Sequence, residues 1–133
     1  GFAIGNESLI EALIRMKDSF NSYPVDRLAL VAAEAAIKDQ TYFEKTTKKI
    51  IQTRTWFQKE MKKLGFNVLP SSTNFVFATH PNNNAEVLYE SLRKRNILIR
   101  YFNTPPIDQY VRITIGTDEE MKRLIKTIKE LIK

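Results

Sequence analysis

One arginine in the middle of a strand-like run poses the first chemical question of this chain. Tyr110-Val-Arg-Ile-Thr-Ile-Gly-Thr117 alternates, with Val111, Ile113 and Ile115 on one face and Tyr110, Arg112 and Thr114 on the other. A guanidinium among strand residues is costly to desolvate unless an anion meets it. It is also the side chain best shaped to grip a carboxylate or phosphate through two parallel hydrogen bonds. Arg100 stands in a similar setting twelve positions earlier, next to Tyr101. If the two strands pair as a hairpin, both arginines face one crevice and make an anion clamp. The competing reading places each at a sheet edge, paired with an acid such as Asp108.

Other polar residues carry weaker signals. Asn74 opens Phe75-Val-Phe77 after Ser71, Ser72 and Thr73; its amide can orient a ligand or tie down the turn, and the turn role is the default. His80 is the only histidine and there are no cysteines, so imidazole clusters, thiolate metal sites and disulfides are excluded. Its position before Pro81 in a polar loop predicts an exposed ring. No spacing supports a Ser-His-Asp triad. The four glycines are scattered, so no glycine-rich phosphate loop is present. Tyr23, Tyr101 and Trp56 read as packing residues before ligand contacts.

The elements that must position these residues fall into two halves. Asn6 caps a first helix with Leu9, Ile10, Leu13 and Ile14 as its stripe. Pro24 suits the start of a second helix, running through Leu28, Ala29, Ala32, Ala33 and Ala36. A third, from about Thr41 to Lys63, carries Phe43, Ile50, Phe57 and Met61, and Gly65 ends it in the left-handed conformation. Strands are then predicted at 66–69 and 74–78, a helix from Ala85 to near Asn96, and strands at 97–101 and around Arg112. Thr117 and Glu120 form a capping box for a last helix with Met121, Leu124, Ile125 and Ile128 inward. The fold class is therefore α+β. Helices precede a β-β-α-β-β-α layer whose largely antiparallel sheet is covered by helices.

With 133 residues, 43% of them hydrophobic, the chain can build a real core. The net charge of +6 permits anionic partners but is scattered over helix faces. No run nears the roughly 18 apolar residues of a membrane helix, and the first residues do not read as a secretory leader. A cytoplasmic setting is expected.

Several stretches together resemble the histidinol-phosphate aminotransferases. They are Phe2-Ala-Ile-Gly-Asn6, Lys17-Asp-Ser-Phe-Asn-Ser-Tyr-Pro24, Leu69-Pro-Ser-Ser-Thr-Asn-Phe-Val-Phe-Ala78, Asn96-Ile-Leu-Ile-Arg-Tyr-Phe-Asn103 and Tyr110 through Met121. These are fold-type I enzymes that depend on pyridoxal 5′-phosphate. They move an amino group between histidinol phosphate and 2-oxoglutarate in histidine biosynthesis. The resemblance implies that Arg112 holds the substrate's phosphate or the α-carboxylate of glutamate, with Arg100 near the same phosphate and Asn74 at the domain junction. It also implies that residues 1–40 are the end of the cofactor-binding large domain and 41–133 the small domain with its connecting helix. The Schiff-base lysine and the other cofactor contacts would lie upstream. The chain alone is then expected to hold no cofactor, to supply no catalytic residue and not to transaminate. A homodimer is expected of the whole enzyme, and the first two helices would expose apolar surface or bury it against another copy. Two alternatives stand beside this. One is another fold-type I aminotransferase or decarboxylase acting on aromatic or phosphorylated amino acids. The other is of a different class, a small basic nucleic-acid-binding module, against which the lack of an RNP-type pattern counts, with a pure interaction domain beside it.

Overall fold

The computed structural model describes residues 3–21, 23 and 25–132. The chain divides into two compact units, residues 1–43 and 44–133.

The first unit holds α1 (Glu7–Phe20) and α2 (Arg27–Lys38). Asn6 caps α1 by accepting from the Ser8 N–H, and Asp26 caps α2 by accepting from Ala29. Helix α2 thus starts at Arg27; Pro24, expected in its first turn, lies outside the described residues. Neither helix buries a residue. Leu28 is 83% and Leu9 66% exposed, and of the α1 stripe read from the sequence only Ile10 is not exposed.

Helix α3 (Gln40–Lys63) begins in the first unit and runs into the second. It ends in a Schellman arrangement, with Gly65 N–H on the Lys62 carbonyl and Phe66 N–H on that of Met61. Gly65 takes φ +86°. The rest of the second unit is β1 (Asn67–Val68), β2 (Phe75–Thr79), α4 (Ala85–Arg93), β3 (Arg100–Tyr101), β4 (Val111–Thr114) and α5 (Asp118–Leu131). The sheet order is β1-β2-β4-β3 and every pairing is antiparallel. One face of the sheet carries Val76, Ala78, Val111 and Ile113, all buried with Phe57 and Met61 of α3, Leu88 and Leu92 of α4, and Leu124 and Ile128 of α5. Trp56 packs against this core.

Two expectations need correction. Residues 97–99 are not strand: only Arg100 and Tyr101 pair with β4. Ile97 and Ile99 nonetheless pack on the core, which explains the alternating pattern. His80 is half-buried rather than exposed. Its Nδ1 accepts from the Asn82 N–H at 3.1 Å, which leaves the proton on Nε2 to donate to the Leu64 carbonyl at 3.1 Å. The ring also meets Phe66 edge-on at 4.8 Å. It therefore fastens the end of β2 to the end of α3.

Candidate functional site

The sheet has a second face, and the arginines stand on it. In register, Phe77 lies opposite Arg112 and Arg112 lies opposite Arg100. Side chains of directly opposed residues share a face about 5 Å apart. The hairpin condition for a clamp is met: one row crosses three strands and ends in two directly opposed arginines. Phe75, opposite Thr114, extends the same face.

Nothing acidic answers these charges. Among the described residues no carboxylate pairs with Arg100 or Arg112, and Asp108 joins neither in an ion pair. Aromatic rings surround them instead. The Arg112 Cζ lies 5.4 Å from the Phe75 ring centre and 5.7 Å from that of Phe102, and the Arg100 Cζ lies 5.1 Å from Phe102. Phe77 stacks on Tyr110 at 4.7 Å and 17°, and meets Phe102 edge-on at 6.4 Å. Tyr110 and Phe102 flank a loop whose turns, Ile107 N–H on Thr104 and Tyr110 N–H on Ile107, bring the chain back into β4.

The Arg112 Nε is buried with no hydrogen-bond partner, alone in this among the described side chains. A buried unpaired donor costs about 1–3 kcal/mol, more when charged. Such a cost is tolerated where a ligand supplies the acceptor. Arg100, which is exposed, offers its charge beside it. The arrangement is suited to binding a compact anion of one or two negative charges. It offers no nucleophile and no general base.

The remaining candidates are placed elsewhere. Asn74 sits in the bend before β2, exposed, its carbonyl accepting from Ile115 N–H at 2.8 Å. No hydrogen bond joins its side chain to either arginine. The turn is tied by its neighbours: Ser71 Oγ donates to the Phe75 carbonyl at 2.6 Å, and Thr73 Oγ1 accepts from the Phe75 N–H. Arg54 of α3 also donates to the Thr73 carbonyl. Tyr101 points to the core side, stacked on Tyr89 at 5.9 Å. Partial burial pushes its phenol pKa up, helped by the negative charges of Glu86 and Asp108. It is a packing residue. Tyr23 is 90% exposed. A cavity of about 310 Å³ between residues 96–99, β4 and α5 is lined by Leu98, Ile113, Met121 and Leu124. Its one arginine, Arg123, is occupied by the Arg95 carbonyl. No group of metal-ligating side chains exists among the described residues.

What reasoning from sequence missed is the aromatic cage. Phe75 and Phe77 were visible as an alternating pair, but Phe102 lies one residue beyond β3 and was given no role of its own. Its signal was its place directly after Arg100-Tyr101.

Comparison with known proteins identifies the family. Residues 1–128 match the family described as aminotransferase class I and II. The histidinol-phosphate aminotransferase of Marinomonas sp. (strain MWYL1) is 53% identical, over 98% of this chain and 38% of its own length. The crystal structure of the histidinol-phosphate aminotransferase from Clostridium acetobutylicum superposes with TM-score 0.81 and 30% identity, over 91% of this chain and 37% of that one. That of the Sinorhizobium meliloti enzyme, in complex with pyridoxal-5′-phosphate, gives TM-score 0.76 and 28% identity, over 88% and 34%. The chain thus spans little more than a third of the relatives it matches.

Proposed function

We propose, for a chain that belongs to the class I and II aminotransferase family, that it supplies the substrate-anion site of a histidinol-phosphate aminotransferase. The reaction exchanges an amino group between histidinol phosphate and 2-oxoglutarate. Residues 1–40 are read as the end of the large domain and 41–133 as the small domain, within a homodimeric enzyme.

The observation that carries this reading is the buried, unpartnered Nε of Arg112 beside Arg100, with no carboxylate on either. Arg112 takes the phosphate of histidinol phosphate in one half-reaction and the α-carboxylate of glutamate in the other. Arg100 adds charge for the phosphate. Holding the anion at a fixed row of the sheet orients the amine end of the substrate toward the rest of the enzyme. Phe75 and Phe102 keep the half-buried Arg112 guanidinium in a partly dry setting, where its attraction for an anion is strengthened.

Pyridoxal phosphate, when bound, supplies the electron sink for this class of reaction. The sheet gives it no covalent anchor: no lysine occurs from 64 to 93 or from 95 to 121. The chain's own residues hold and orient substrate, and no proton transfer is assigned to them. By itself the 133-residue chain is expected to show no glutamate-dependent turnover. In the whole enzyme, Arg112→Lys removes the planar fork but keeps the charge. It should lower kcat/KM for histidinol phosphate by at least about tenfold, consistent with the loss of one charge-assisted hydrogen bond. An unchanged kcat/KM in that variant would remove the arginine from the site.

A further inference from the structure

Phe102 is shared by both arginines, and this has a consequence for which anion the site prefers. Two like charges on opposed strand positions destabilise each other, and here no acid separates them. The ring of Phe102 lies within cation–π range of both, 5.1 Å from Arg100 Cζ and 5.7 Å from Arg112 Cζ. The negative face of an aromatic ring attracts a guanidinium without neutralising it. Phe102 is not part of the hydrophobic core; its ring neighbours are Phe77 and the two guanidinium groups. Phe77 in turn is braced by Tyr110.

We propose that Phe102 is a positioning residue that holds Arg100 and Arg112 together as a ready-made pair, and so gives the site its preference for a doubly charged phosphate over a singly charged carboxylate. This rests on the reading of the two arginines as the anion site. Without the ring, Arg100, the exposed member, is free to swing away from its neighbour. Arg112 still meets a carboxylate alone, because its own contact with Phe75 is untouched. A phosphate dianion, which draws on both cations, loses one of them.

The test uses the ¹⁵N-labelled chain at neutral pH, titrated with inorganic phosphate and separately with acetate. The arginine Nε–Hε signals are followed, with Arg100 and Arg112 assigned by substitution. Phosphate is expected to move both signals along one saturation curve. Phe102→Leu should weaken phosphate about 5- to 10-fold and acetate by no more than about twofold, and Phe102→Tyr should restore phosphate binding to within about twofold, as a cation–π contribution requires. Should the leucine variant lose its amide dispersion, Phe102→Met, flexible and of similar size, is measured against the same criteria. Unchanged phosphate affinity in the non-aromatic variant overturns the proposal, and so does equal weakening of phosphate and acetate. If phosphate moves neither arginine in the unsubstituted chain, the anion-site reading itself fails, which is a different result.

Discussion

Two guanidinium groups set side by side on a sheet, with no carboxylate between them, lower the stability of the fold that carries them. Arg112 adds the cost of a buried donor with no acceptor. A residue that serves packing would not be placed this way, and its removal separates the two roles. Arg112→Leu relieves the repulsion and removes the orphaned donor while keeping a strand-compatible apolar side chain. The variant is expected to be as stable as the parent, or more stable by about 1 kcal/mol, in anion-free buffer. It should also lose the gain in melting temperature that the parent shows on adding phosphate. Thermal denaturation with and without 50-fold excess phosphate over the dissociation constant reads both. A variant clearly less stable than the parent without anion would assign Arg112 to structure. Arg112 was legible in the sequence because a cation stands out in an alternating strand. The pairing with Arg100 was legible only as a condition, since spacing alone does not fix register. Phe102 was legible only as a neighbour of Arg100-Tyr101: an aromatic residue outside a strand gives no sign of what it faces.

At the scale of elements, helix α5 shows how the sheet is held in place from below. Its capping box is complete: Thr117 Oγ1 accepts from Glu120 N–H and the Glu120 carboxylate accepts from Thr117 N–H at 2.7 Å. Asp118, the first residue of the helix, accepts from Lys49 and from Thr53 Oγ1 of α3, the latter at 2.7 Å. These bonds favour the carboxylate, so the hydrogen bond from Lys49, then that from Thr53, hold the Asp118 pKa below its usual value. A depressed carboxyl pKa stabilises the fold at pH above the unfolded value of about 4. That stabilisation fades as pH falls from there through the lower folded value, where the folded state also takes up the proton. Asp118→Asn should therefore lower the melting temperature at pH 7, and the difference from the parent should shrink steadily below about pH 4. A difference independent of pH would mean that shape, not charge, makes the contact. The capping box could be read directly from Thr117 and Glu120. The tie from Asp118 to α3 could not, because it joins residues 69 positions apart for Lys49. The false strand at 97–99 has a different cause: alternation reports which side chains are buried, not which backbone groups are paired. Ile97 and Ile99 meet the core while their backbone departs from β4. His80 was misread because its partners, the Leu64 carbonyl and the Asn82 N–H, are backbone groups with no sequence signature.

For the whole molecule, burial is divided unevenly between the two units. Every buried residue among those described lies at position 53 or beyond. Helices α1 and α2 are well capped, yet short helices in water are marginal without a packed face. Their Leu9, Leu13, Leu28 and Val31 side chains are each more than half exposed. The i,i+4 ion pairs, Arg15 with Glu11 and Lys38 with Glu34, add only tenths of a kilocalorie each at such exposure, and an N-cap about 1 kcal/mol. The order of local stability follows from this. Amide hydrogens of α1 and α2 should exchange within about a minute at neutral pH, whereas those of β2, β4 and α5 exchange only through global opening of the unit that contains them. Hydrogen-exchange mass spectrometry of the 133-residue chain, sampled from seconds to hours, resolves the two classes. Protection of α1 equal to that of β2 would contradict this division and would require a packed partner for the α1 stripe. With the expected pattern, the arginine row sits on the slow-exchanging sheet. The anion site then keeps its geometry whatever the first two helices do, because its three strands are anchored by the core beneath them.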